Sequence, residues 1–196
     1  DAAGRFITQR IHSKMAFFKL SLSDNQFTVN YKEDSIQFLA NAPVSKNPVS
    51  ATVWDDTVMV YEVLGKYSQW FSERLGINCR LVYFPEESQR LVDEKYRVEN
   101  DQVSLADGYP FLIIGQRSLD DLNSRLGNPV PMNRFRPNFV FTGGQPFEED
   151  TWRNFRIGGN RFSGVKPCSR CVLTTVNQET AEKGTEPLAT LTTYRK

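Results

Sequence analysis

Phe17-Phe18-Lys19-Leu20-Ser21-Leu22, followed by Asp24-Asn25 and by Phe27-Thr28-Val29-Asn30-Tyr31, is the stretch that decides the fold class. Phe17, Lys19 and Ser21 oppose Phe18, Leu20 and Leu22 at period two, the repeat of a strand, and Asp24-Asn25 is turn chemistry, so a hairpin is predicted. A second turn at Lys32-Glu33-Asp34 leads into Ser35-Ile36-Gln37-Phe38-Leu39, and residues 49–54 and 58–63 add two more strands around Asp55-Asp56. An antiparallel meander is the simplest account of this first third.

The pattern changes at Lys66. Tyr67, Trp70, Phe71 and Leu75 recur at helical spacing, with Gly76 placed to end the helix. Residues 78–84 read as a strand, 85–108 as a charged loop, and 109–114 as a short apolar strand. Ser118-Leu119-Asp120-Asp121 opens a second helix with Ser118 as its N-cap, and Gly127 is its expected stop. Strands are expected again at 135–142, 152–157, 160–165 and 172–176, with Gly158-Gly159 as a hairpin turn, and 188–194 reads as a short helix. The fold class is α+β, mainly β: an antiparallel N-terminal sheet with a helix, then a barrel-like half with short helices. Parallel βαβ winding is the less favoured alternative.

Composition narrows the function. The chain has 196 residues, 24 Lys and Arg against 23 Asp and Glu, and 39% apolar residues. A net charge of +1 supplies no broad field for nucleic acid or an anionic membrane, so any anion site is local. No apolar run approaches the roughly 18 residues of a membrane span. His12 is the single histidine, which excludes a two-histidine metal site within one chain. Cys79, Cys168 and Cys171 are an odd set, which argues against a secreted disulfide framework and for a reducing, cytoplasmic compartment. The opening Asp1-Ala2-Ala3-Gly4-Arg5 has neither an initiator Met nor a signal-peptide core and reads as a cut within a longer chain.

Two local clusters carry chemistry. Lys166-Pro167-Cys168-Ser169-Arg170-Cys171 sets a Cys-x-x-Cys pair beside two cations, which favour thiolate. Four readings stand: a zinc site completed by Cys79 and His12, a redox pair, two small structural thiols, or one thiolate on a metal whose other ligands come from a cofactor. The strand-like Val172-Leu173-Thr174-Thr175-Val176 that follows speaks against the strand-to-helix setting of a redox pair. In the second cluster, Arg134-Phe135-Arg136-Pro137-Asn138, two arginines spaced by two would share one face of an extended strand and grip a phosphate or carboxylate. Arg10, in Phe6-Ile7-Thr8-Gln9-Arg10, offers a third cation. Neither GxGxxG nor GxxxxGK[ST] occurs.

These segments, with Asp107-Gly108-Tyr109-Pro110-Phe111-Leu112, Ser118-Leu119-Asp120-Asp121-Leu122-Asn123, Glu149-Asp150-Thr151-Trp152 and Ile157-Gly158, resemble in order the MOSC proteins, most of all the bacterial YcbX-like branch related to the mitochondrial amidoxime reducing component. The resemblance covers the whole chain, densely from Asp107 to Arg195. It implies an N-terminal β-rich region at 1–104 lacking its first strand, and a MOSC domain core at 105–196 cut short at its C-terminal end. It also implies a molybdenum cofactor, a pterin with a dithiolene and a phosphate, whose metal is completed by one protein cysteine. Carried over, Cys171 is that ligand and the catalytic residue, while Arg10, Arg136, Asn138, Ser169 and Arg170 contact the cofactor, and Cys168 is a neighbour. The implied reaction is two-electron reduction of small N-hydroxylated compounds, hydroxylaminopurine or amidoximes, and the implied partner is an electron-donor protein or an iron–sulfur domain missing from this chain. Nucleic acid and membrane are not expected as partners. A different class stays open: a sulfur-carrier or cofactor-handling module, as in molybdenum cofactor sulfurases, where Cys171 carries sulfur. Pyridoxal phosphate appears in descriptions of the family through those sulfurases, but no lysine motif for it is recognisable in this sequence.

Overall fold

Asp24 and Asn25 both take positive φ, 48° and 63°, the left-handed pair that a two-residue hairpin turn demands. In the computed structural model, which describes residues 1–195, they join β1 (Phe18–Ser23) to β2 (Gln26–Tyr31), and Lys32 at φ 54° turns the chain into β3 (Asp34–Leu39). The three strands form an antiparallel sheet in the order β1-β2-β3, as the alternation predicts. Val29 and Ile36 are paired across it and buried against Trp70 of α1 (Tyr67–Leu75). Phe18 adds ring contacts to Trp70 at 5.8 Å and Phe71 at 5.3 Å, so the period-two face of the sheet meets the helical stripe read from the sequence. Gly76 ends α1 in the left-handed conformation, φ 71°, its N–H donating to the Ser72 carbonyl at 2.8 Å. Arg74, near that end, pairs with Asp34 and stacks on Trp70 at 4.4 Å.

A second antiparallel sheet in the same unit runs β4-β5-β6, from β4 (Val49–Val53), β5 (Asp56–Glu62) and β6 (Val82–Tyr83). Its hairpin turns on Trp54 and Asp55, because Val53 pairs with Asp56; the turn lies one residue earlier than Asp55-Asp56. The strand expected at 78–84 shortens to two residues. The preceding backbone bonds instead to helix side chains, with the Cys79 N–H donating to Ser72 Oγ and the Leu81 N–H to Ser68 Oγ, both at 3.0 Å. Asp1–Arg90 and Gln178–Glu182 make up this compact unit.

The second unit comprises Leu91–Asn177 and the residues from Lys183 onward. The segment 91–108 is largely irregular, as expected, tied by a bridge between Leu91 and Gln102. Then come β7 (Ile113–Gly115), α2 (Gln116–Asn123), β8 (Phe139–Phe141), β9 (Asn154–Ile157), β10 (Asn160–Ser163) and α3 (Leu188–Tyr194), the last as predicted. Ile114, Leu119, Leu122, Val130, Phe135 and Leu191 are its buried apolar cluster. β9 and β10 form the hairpin over Gly158-Gly159, with Gly158 at φ 57°. β7 and β8 pair in parallel across α2, a local exception to the antiparallel pattern. Of the barrel-like half expected here, the described residues show these two open two-stranded ladders, and the mainly β, α+β class holds.

Three local expectations change. α2 begins after Gly115, two residues before Ser118, because its start is held from elsewhere: Glu149 accepts the Gly115 N–H at 3.0 Å and the Ser118 hydroxyl at 2.9 Å. Ser118 is therefore not a cap; its Oγ also accepts the Phe147 N–H at 2.8 Å. Gly115 keeps the approach of Phe141 close, since a Cβ there would sit 2.8 Å from the Phe141 ring and require the ring to shift. The helix stops at Asn123, not at Gly127, because the Asn123 side chain bonds the Val130 N–H and carbonyl and turns the chain away. Finally, the strands expected at 135–142 and 172–176 give way to β8 alone and to a 3-10 turn at Val172–Thr175.

Two outcomes follow. Glu149→Ala leaves the Gly115 N–H and the Ser118 hydroxyl without their acceptor and lowers unfolding free energy by about 1–3 kcal/mol in urea, with Glu149→Gln recovering part of it. The hydrogen bond from Arg74 holds the Asp34 carboxyl below its ordinary value of 3.8. The stability this pair gives is therefore present above that value and is lost as pH falls through the lower folded one. Asp34→Asn flattens the acid limb of the melting-temperature profile, by a small amount because Asp34 is half exposed.

Candidate functional site

The cysteine segment of the second unit is a loop that ends in the Val172–Thr175 turn. Threonine hydroxyls make that turn: Thr174 Oγ1 donates to the Cys171 carbonyl at 3.0 Å and Thr175 Oγ1 to the Val172 carbonyl at 2.8 Å. Side-chain bonding three residues back overrides the strand preference of the β-branched run. Cys171 itself is extended, φ −128° and ψ 180°, and half-buried, while Cys168 is exposed; both thiols are free.

The arginine segment meets this turn. Arg134 donates from Nη1 to the Thr175 carbonyl at 2.8 Å, and burial lowers the pKa of its guanidinium from the usual value. Phe135 is buried in the core, and the Arg170 guanidinium lies 5.3 Å from its ring centroid. The expected strand with Arg134 and Arg136 on one face does not form. Met132–Arg134 is a 3-10 turn and Arg136 is left-handed, φ 52°, so the two guanidiniums are presented by different local conformations. Arg136 is exposed, and the Asn138 side chain is partly committed: its Oδ1 accepts the Leu112 N–H at 2.9 Å, next to the start of the β7–β8 pair. Ser169 is exposed beside Cys168.

The structure thus gathers Arg134, Phe135, Arg170, Cys171 and Thr175 into one cluster of the second unit, with Arg136 and Asn138 on the same segment as Arg134. Arg10 belongs to the first unit, where its guanidinium stacks on Trp54 at 4.3 Å from the centroid. Cys79 is also there, buried with its sulfur 3.5 Å from Ser72 Oγ, and His12 precedes a short 3-10 turn. No group of three or more His, Cys, Asp or Glu placed to hold a metal occurs among the described residues. Sequence reasoning missed two supports of the cysteine loop. One is Phe135 as the platform for Arg170. The other is the clamp on Lys166, whose Nζ lies 4.5 Å from the Tyr96 centroid and 5.3 Å from that of Tyr109. A tyrosine 70 positions away gives no periodic signal, whereas Phe135 between two arginines was visible as an apolar residue in a charged setting.

Chemically, the cluster combines a soft sulfur donor, Cys171, with two guanidiniums on the segments that meet there, Arg134 bonded to the Thr175 carbonyl and Arg170 over Phe135. Residues 100–196 match the MOSC domain family. The chain is 34% identical over 203 positions to mitochondrial amidoxime-reducing component 1 of Mus musculus, covering 98% of this chain and 58% of that protein. The corresponding Homo sapiens protein is 33% identical over 207 positions, covering 98% of this chain and 59% of that protein. Molybdenum cofactor sulfurase of Oryza sativa subsp. japonica is 34% identical over 148 positions, covering 67% of this chain and 18% of the sulfurase. The chain thus spans just under three fifths of these two amidoxime-reducing components. By this match and these relatives, the chain belongs to the MOSC domain family.

Proposed function

We propose that this chain binds the molybdenum cofactor and that its whole protein reduces small N-hydroxylated compounds. The observation that carries this is the free, half-buried Cys171 thiol in the cluster anchored by Arg134 and Arg170. Relatives named amidoxime-reducing component and molybdenum cofactor sulfurase support it. The donor set fits the group: one thiolate suits a soft metal whose other sulfur ligands belong to the pterin, and local cations suit its phosphate in a chain of net charge +1.

On this reading Cys171 is the single protein ligand to the metal. Arg136 and Ser169, both exposed, bind the phosphate or the pterin, with the Asn138 NH₂ as a further donor. Arg170, the residue before the ligand, is laid on Phe135 and brings its positive charge to the cysteine loop. Arg10 has the same role on the family resemblance. When bound, the cofactor supplies the two-electron chemistry. Each N–O bond cleaved takes up two electrons and two protons and releases water, so the chain needs an electron-donor protein or an iron–sulfur domain from outside its own residues. The three free cysteines suit a reducing compartment, here assigned as cytoplasmic, and no helix among the described residues is long and apolar enough to cross a membrane.

The match to a sulfurase over 148 positions favours a second reading, in which Cys171 carries sulfur or the domain hands the cofactor on. Full-length protein from a host that makes the cofactor separates the two. The first reading predicts co-purifying molybdenum and turnover of hydroxylaminopurine in the wild type, with turnover lost in Cys171→Ser, while Cys168→Ser keeps turnover within about tenfold. Wild-type protein without molybdenum, or the reverse ranking of the two variants, overturns it. A persulfide on Cys171 by mass spectrometry, without turnover, establishes the carrier.

A further inference from the structure

A groove of about 500 Å³ opens on the first unit, and none of its residues takes part in the cysteine cluster. That volume falls within the roughly 300–1,000 Å³ of ligand sites. Met59 and Tyr61 stand two apart on β5 and so share a face, and Tyr61 pairs across the ladder with Tyr83 of β6, which puts the two tyrosines at opposite positions of the same ladder. Met59 is 46% exposed and Tyr83 41%, which leaves two large apolar side chains in contact with water. Pro48 and Pro85 also line the groove, and Glu86 and Glu87 stand at its rim.

The groove is preformed. Ser88 Oγ donates to the Met59 carbonyl at 2.9 Å and pins the turn that carries the glutamates. Ser45 Oγ donates to the Asn47 carbonyl at 2.9 Å and accepts the Glu62 N–H at 3.1 Å, which holds the opposite wall. Fixed walls reduce the entropy lost on binding. Glu86 and Glu87 are exposed, and neither is in an ion pair with another described residue. The two carboxylates therefore present uncompensated negative charge beside two aromatic rings.

Rings and carboxylates together select a cation with an apolar stem. Two tyrosines beside a sheet edge suit an extended chain, which can lay alternate side chains on the face while its main chain runs along the edge. β6, whose outer edge is unpaired in the sheet order β4-β5-β6, borders the same site and offers main-chain hydrogen bonds to such a chain. We propose that this groove docks an extended peptide segment of a protein partner that carries arginine or lysine beside proline or aliphatic residues. The assignment does not depend on the cofactor, because every groove residue lies in the first unit.

A random heptapeptide library displayed against the full chain tests it, with the selected peptides resynthesised and measured by fluorescence polarisation. The selected peptides are expected to carry a basic residue next to proline or an aliphatic residue. Their Kd rises at least about tenfold in the Glu86→Lys/Glu87→Lys variant, with circular dichroism unchanged, and rises again at about 0.5 M salt. Tyr83→Ala, at a half-exposed position, weakens binding without loss of fold. Selection of no peptide, selection of peptides without basic residues, or equal binding by the double variant overturns the proposal.

Discussion

Arg134 donating to the Thr175 carbonyl is the contact on which the candidate site depends. A guanidinium that burial disfavours is kept where it is because that carbonyl receives it, and the carbonyl is aimed by a turn that threonine hydroxyls hold closed. The contact joins two segments of the second unit that carry clustered cations and thiols, the Arg-Phe-Arg-Pro-Asn run and the Cys-Ser-Arg-Cys run. Phe135 does the same from the apolar side, since it is buried in the core and presents its ring to Arg170. The arginine segment and the cysteine loop are thereby brought into one candidate site.

Near-neutral charge takes on a definite meaning in this setting. The chain has no long-range field to concentrate anions, so whatever anion it holds must be gripped at short range by a few residues that folding assembles. Folding places three cations, Arg134, Arg136 and Arg170, on the two segments that meet, and each is presented differently: one bonded to a carbonyl, one left-handed and exposed, one laid on a ring. The acidic, aromatic groove of the first unit is the complementary case, where local charge selects a cation.

The parts of the fold legible in the sequence were those set by local rules. The β1–β2 hairpin followed from alternation and Asp24-Asn25, the end of α1 from Gly76, and α3 from its own composition. The parts that were not legible depend on tertiary partners. No reading of Ser118 finds that Glu149, 31 residues on, holds the start of α2, and no propensity scale turns Val172-Leu173-Thr174-Thr175 into a 3-10 turn. The candidate site shows the same division. Cys171, Arg170 and Arg136 were visible as residue types in register with a family, while the shape that relates them rests on Phe135, Thr175 and the Tyr96–Tyr109 pair, which carry no chemistry of their own in the sequence.

The central claim is that Cys171 alone, among the protein's residues, ligates the metal of a cofactor held in this cluster. X-ray absorption at the molybdenum edge, on full-length protein and on its Cys171→Ser variant reconstituted with the cofactor, addresses it directly. The account predicts one sulfur scatterer fewer in the variant and no change in Cys168→Ser; an unchanged sulfur shell in Cys171→Ser, or loss of the scatterer in Cys168→Ser, would contradict it.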